Sequence, residues 1–193
     1  NADALIFNRH LYQPLLYAAG GDVQVKPVAL NKGERDFVQD LKKVYEGATY
    51  LKGMELYLLR NQSRRGVGFF EAETFYPDFV LWVVQGKKQR VAFVDPKGIR
   101  NLRGIDDPKI AFSKTIKDLE QRLADPDMTL NSFIISVTPL HQVAWWGSQM
   151  TEVDFEQHNV LFQRPGETSY VDHLLRKLLA EGSDGSSQSE GKV

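Results

Sequence analysis

A chain of 193 residues, 42% hydrophobic and 25% charged, has the composition of a soluble globular protein with one core of ordinary size. It contains no cysteine, which excludes a disulfide framework, a thiolate zinc site and a cysteine nucleophile, and agrees with a reducing, cytoplasmic setting. The formal net charge of -1 argues neither for nor against nucleic acid, because binding proteins concentrate positive charge locally. No apolar run reaches the roughly 18 to 20 residues of a membrane span, and the N-terminus lacks the regions of a signal peptide. The first residue is Asn rather than Met, which points to a piece of a longer chain.

In chain order, Leu5 to Tyr17 mixes aromatic and aliphatic residues around Pro14 and reads as helix or coil, ended by Gly20-Gly21. Asn31 is the N-cap of an amphipathic helix whose apolar stripe is Phe37, Val38, Leu41, Val44 and Tyr45, with Glu34 near its start and facing inward. Met54–Leu59 predicts a first strand and Gln62–Gly68 a loop. Phe79–Val84 and Val91–Asp95 are continuous apolar runs, the pattern of central strands buried on both faces. Ile110, Ala111, Ile116, Leu119 and Leu123 recur at helical spacing before Asp125-Pro126. Phe133–Val137 predicts a strand parallel to its predecessor, since a helix connects them. Tyr170–Ala180 closes as a helix. A single domain over residues 1–180 is expected, with a disordered Gly- and Ser-rich tail over 181–193.

Between the two central runs, Gln85-Gly86-Lys87-Lys88 places Gly at the first central position of a two-residue II′ hairpin turn. If Gln85 faces Lys88, then Val83 faces Arg90, Val80 faces Phe93 and Asp78 faces Asp95. Lys97 lies two residues beyond Asp95 and points to the same face. Like charges this close destabilise a sheet, so a structure that keeps both must compensate them, and a divalent cation does so. Oxygen ligands favour Mg²⁺ or Mn²⁺ over zinc, and the Pro96 carbonyl is a further oxygen donor. His10, His141, His158 and His173 show no metal-ligand spacing. A lysine beside such a metal can orient an attacking water and stabilise charge building on a phosphate.

Tyr76-Pro77-Asp78 followed by Asp95-Pro96-Lys97 resembles the Pro-Asp…Asp/Glu-x-Lys signature of the restriction-endonuclease-like nuclease superfamily, PD-(D/E)XK. The order of predicted elements is also similar to that superfamily's α/β core, helix, three strands, helix, strand (α-β-β-β-α-β), a mixed central sheet flanked by helices. His10–Leu16, Phe75–Phe79, Val94–Gly98 and His158–Phe162 resemble the nuclease region that follows the helicase in type III restriction subunits and DEAD/DEAH helicase-nucleases. The resemblance implies a deoxyribonuclease that uses Mg²⁺ or Mn²⁺, with Asp78, Asp95, the Pro96 carbonyl and Glu34 around the metal and Lys97 as the catalytic lysine. Glu71 and Glu73 are alternatives to Glu34. It also implies a helicase/ATPase region in the same chain or complex, and a role in restriction or phage defence.

Basic residues are locally concentrated. Lys87, Lys88, Arg90, Lys97, Arg100 and Arg103 accompany a single acid, Asp95, and the trio Arg60, Arg64 and Arg65 precedes the acidic pair. Lys87, Lys88, Arg100 and Arg103, with Lys109, Lys114 and Lys117 on the second helix, are candidate DNA contacts; an ordinary solvated face is the alternative for the helix lysines. Trp145 and Trp146 fit packing better than base stacking. No Gly-x-x-x-x-Gly-Lys-Ser/Thr motif is present, so this chain does not itself run an ATP motor. Two other functions fit the same residues: a catalytically inactive DNA-binding module of the same fold, and an interaction domain whose acids are boundary residues.

Overall fold

Asn31 starts helix α1 (Lys32–Gly47) by a reciprocal capping box. Its side-chain oxygen accepts from the Glu34 N–H at 2.9 Å, and the Glu34 carboxylate accepts from the Asn31 N–H at 3.2 Å, so two otherwise orphaned donors are satisfied. The helix turns Phe37, Val38, Leu41 and Val44 inward, and all four are buried. The computed structural model describes residues 2–5, 15–18, 28–62, 66–69, 75–143 and 150–181.

One face of a five-stranded mixed sheet receives this stripe. The strands are β3 (Glu55–Arg60), β4 (Phe79–Gln85), β5 (Lys88–Lys97), β6 (Met128–Ser136) and β7 (Val160–Phe162), side by side in that order. β3, β4 and β5 pair antiparallel, and β5, β6 and β7 pair parallel. Helix α2 (Pro108–Leu123) connects β5 to β6, short helix α3 (Glu152–Glu156) precedes β7, and helix α4 (Ser169–Ala180) follows it. α1 and α4 share the larger core with Leu56, Leu81, Ala92, Val94 and Phe133. On the opposite face Phe112 and Ile116 of α2 meet Val80, Val91 and Phe93. Burial of each such side chain contributes about 1.5–3 kcal/mol, and this packing holds the strand ends in place. The protein is therefore α/β, with a mixed sheet flanked by helices. Among the described residues no helix is long and apolar enough to cross a membrane.

The expected helices and strands appear near their predicted positions, with three differences. The opening segment, read as helix or coil over Leu5–Tyr17, gives strands β1 (Ala2–Leu5) and β2 (Leu15–Ala18), paired antiparallel. Pro14 cannot donate within a helical ladder, and a pairing between segments ten residues apart leaves no local periodicity to read. Leu123, counted into the stripe of α2, is 51% exposed, whereas Phe112, one turn before Ile116, is buried. β7 and α3 went unpredicted, being only 3 and 5 residues long. The expected tail begins at Glu181, which pairs with Lys117 at 2.5 Å. Residues 182–193 lie outside the described part of the chain, as do Glu71, Glu73, Arg64, Arg65, Trp145, Trp146 and residues 10–14.

Candidate active site

The β4–β5 hairpin sets the geometry. Gly86 has φ +60°, while Lys87, the other central residue, is not at positive φ, as a II′ turn requires. The register is the predicted one: Gln85 pairs with Lys88, Val83 with Arg90, Val80 with Phe93 and Phe79 with Val94. Asp78 falls one residue before β4 begins, opposite Asp95 by continuation of that register. It is held there by Asn61, just past β3. The Asn61 N–H donates to the Asp78 carbonyl at 2.8 Å, and its side-chain amide donates to the Pro77 carbonyl at 2.8 Å. The same amide donates to the Val67 carbonyl at 2.7 Å and its oxygen accepts from the Val67 N–H at 2.9 Å, so one side chain fixes both the loop and the Pro77-Asp78 segment. Phe79, immediately after, packs against Phe37 of α1 at 5.5 Å between ring centres.

Asp78 and Asp95 stand side by side and share a hydrogen bond. Asp95 is 4% exposed and accepts from the Lys97 ammonium at 2.6 Å. Burial pushes the Asp78 carboxyl up to about 8, helped by the Asp95 charge, by the hydrogen bond it shares with Asp95 and by Glu34, with Lys97 only partly opposing. The Asp78 carboxyl therefore keeps its proton at neutral pH. The Lys97 ammonium also stands 6.0 Å from the centre of the Phe75 ring. Phe75 in turn packs edge-on against Phe112, tying this wall of the cleft to α2.

Glu34 reaches the same cleft from α1, and its carboxylate is already engaged. It accepts from the Asn31 side-chain amide at 2.6 Å and lies 3.6 Å from the Arg60 guanidinium. Burial raises its carboxyl above the ordinary range, against the lowering effect of Asn31 and Arg60. The capping box that starts α1 thus also positions the acid.

The cleft has a volume of about 490 Å³ and is lined by Asn31, Glu34, Phe75, Tyr76, Asp78, Asp95, Pro96, Lys97, Gly98 and Lys109. Of the residues singled out in the sequence, it gathers Glu34, Asp78, Asp95, Pro96, Lys97 and Lys109. Lys87 and Lys88 lie at the opposite end of β5: seven residues of extended chain separate Lys88 from Asp95, roughly 23 Å. Lys88 there pairs with Asp127 at 3.1 Å. Arg100 and Arg103 occupy the β5–α2 loop, both exposed, with Arg100 hydrogen-bonded to Gln142. Lys114 is exposed on α2, and Lys117 is taken by Glu120 and Glu181. Two participants were not anticipated. Asn61 carried no motif, and Arg60 was seen only as part of a basic trio.

A divalent cation fits the donor set in part. Half-buried Asp78 and buried Asp95 supply carboxylate oxygens whose mutual repulsion, when both are ionised, a cation relieves. The Lys97 carbonyl accepts from the Val137 N–H on the β6 side, so in extended backbone the Pro96 carbonyl turns to the other edge, toward Asp78. Among the described residues no three His, Cys, Asp or Glu side chains group closely enough to hold a metal by themselves. Two carboxylates with water completing the shell is an arrangement that suits Mg²⁺. The fold and cleft define an α/β domain with a two-carboxylate, two-lysine site at one end of its sheet. Compared with protein-family models, curated proteins and solved structures, the chain matches none.

Proposed function

We propose that this domain is a metal-dependent DNA endonuclease of the PD-(D/E)XK, restriction-endonuclease-like class, hydrolysing phosphodiester bonds in the cleft between Asp78 and Lys109. The observation that carries the reading is the juxtaposition of Asp78 and Asp95 at the open end of two antiparallel strands, with Lys97 bonded to Asp95 at 2.6 Å. The element order α1, β3, β4, β5, α2, β6 also supports it.

Asp78, Asp95 and the Pro96 carbonyl would hold Mg²⁺ or Mn²⁺, which when bound supplies Lewis-acid activation of a water and of a phosphate oxygen. Asp95 keeps the Lys97 ammonium fixed within the site, where its charge opposes the negative charge that builds on the phosphate oxygens. Asp78 must give up its proton for both carboxylates to act together. Glu34, braced by Asn31 and Arg60, adds negative potential behind the pair and orients the α1 end of the cleft. Pro77 and Asn61 hold Asp78 in place while its ionisation changes. A helicase/ATPase region acting with this domain, and a place in restriction or phage defence, belong to the same proposal.

The test is cleavage of supercoiled plasmid with Mg²⁺ or Mn²⁺, comparing wild type with Asp95→Ala and Lys97→Ala. Metal-dependent nicking by wild type alone is expected. Equal cleavage by all three, or none by a wild type that binds the metal, contradicts the reading; DNA binding without metal uptake would instead mark an inactive binding module.

A further inference from the structure

Lys109 enters the cleft from the first turn of α2 and faces Lys97, the other cation of the site. Lys97 has Asp95 as its partner at 2.6 Å. Lys109 has no such partner: among the described residues no carboxylate lies within 4.0 Å of its ammonium. The helix end beside it is already satisfied, because the buried Asp107 carboxylate accepts from the Lys109 N–H at 3.1 Å and from the Arg103 N–H at 3.1 Å. The cleft therefore presents a partly buried ammonium with no anion of its own. Burial and the neighbouring Lys97 press its ionisation downward, with the more distant charges of Asp95 and Asp107 only partly opposing. α2 is pinned by Phe112 against Phe75, which fixes the Lys109 backbone beside the cleft.

We propose that Lys109 is the phosphate hook of this site: its ammonium binds a non-bridging oxygen of the backbone phosphate that lies across Asp78 and Asp95. The inference rests on the nuclease reading and deepens it. Lys97 is committed to Asp95 before substrate arrives, whereas Lys109 is free to take the incoming anion. The phosphate supplies the missing counter-charge, and the two ammonium groups then flank it.

The test is binding of a short DNA duplex to metal-free protein, followed by fluorescence anisotropy across a salt series, for wild type, Lys109→Gln, Lys109→Arg and Lys43→Gln. Losing one phosphate contact is expected to weaken binding by about tenfold and to flatten the slope of log affinity against log salt by about 0.9. Lys109→Arg, which keeps a charged phosphate donor, is expected to restore most of the affinity, and Lys43→Gln, an exposed charge on α1, to leave it unchanged. Thermal melting of each variant accompanies the binding curves. A folded Lys109→Gln that binds DNA with wild-type affinity and slope overturns the hook while leaving nuclease activity to be judged by plasmid cleavage. A wild type that binds no DNA at low salt overturns both.

Discussion

The Lys97 ammonium lies 2.6 Å from the Asp95 carboxylate, two residues away on the same strand and the same face of the sheet. Removing it should separate chemistry from binding. Lys97→Met is expected to slow single-turnover cleavage by about 100-fold or more, the scale of one preorganised charge at a reacting phosphate. DNA affinity should change only a few-fold, because the side chain is already paired. Parallel anisotropy and cleavage measurements check the split; loss of affinity equal to the loss of rate would make Lys97 a binding residue.

Asp78 couples metal binding to pH. Its carboxyl, at 3.8 when free, is pushed up to about 8 in the metal-free fold. Between those values the folded protein holds a proton that the unfolded chain has lost, so stability falls as pH rises through this window and is flat above it. Cation binding must expel the proton. Metal affinity is therefore expected to rise with pH up to about 8 and then level. Titration calorimetry at neutral pH in buffers of different ionisation enthalpy should show release of about one proton per cation. Asp78→Asn should abolish the release and flatten the pH dependence of stability. An affinity independent of pH across the neutral range, or release unaltered by Asp78→Asn, would contradict the assignment.

Asn61 should prove a positioning residue. Asn61→Ala removes the side-chain bonds to the Pro77 and Val67 carbonyls and from the Val67 N–H. A stability loss of about 1 kcal/mol is expected from urea denaturation, because the Val67 bonds are exposed and only the Pro77 carbonyl is partly shielded from water. At saturating metal kcat should fall while KM holds, since Asp78 loses its support rather than its chemistry. A fall in stability with unchanged kcat would confine Asn61 to folding.

The hairpin turn offers the converse case. Gly86, at φ +60°, has open space around it: a Cβ added there would meet no heavy atom within 4 Å, so alanine brings backbone strain without a clash. Gly86→Ala is expected to cost about 1–2 kcal/mol from the left-handed backbone alone. Cleavage should be unaffected, because the turn is at the far end of the strands from Asp95. A melting curve matching wild type would show that the turn does not need this conformation.

Much of the site could be read from the chain because two local rules set it. A II′ turn fixes which residues face each other, and the two-residue period of a strand then puts Asp78, Asp95 and Lys97 on one face. Glu34 was legible from helical periodicity, since it lies one turn before Val38 beside the apolar stripe, although its capping bonds with Asn31 and its engagement with Arg60 were not. What the sequence obscured depends on packing between distant segments. Lys87 and Lys88 are close to Asp95 in number but separated from it by the length of β5, so a contiguous basic run is not a contiguous basic surface. Lys109 could not be told from Lys114 and Lys117 as a DNA contact, because nothing local says how α2 is rotated; Phe112 and Ile116 decide that by burying themselves against the sheet. Asn61 left no pattern at all, because its bonds join segments 6 and 16 residues away.

The most direct measurement is anomalous diffraction from crystals soaked in Mn²⁺. One manganese peak is expected between the Asp78 and Asp95 carboxylates, with the Pro96 carbonyl and waters completing its shell and the Lys97 ammonium within hydrogen-bond reach of a bound water. Crystals that take up manganese elsewhere, or that leave Asp78 and Asp95 sharing their proton with no metal between them, would contradict a metal-dependent site.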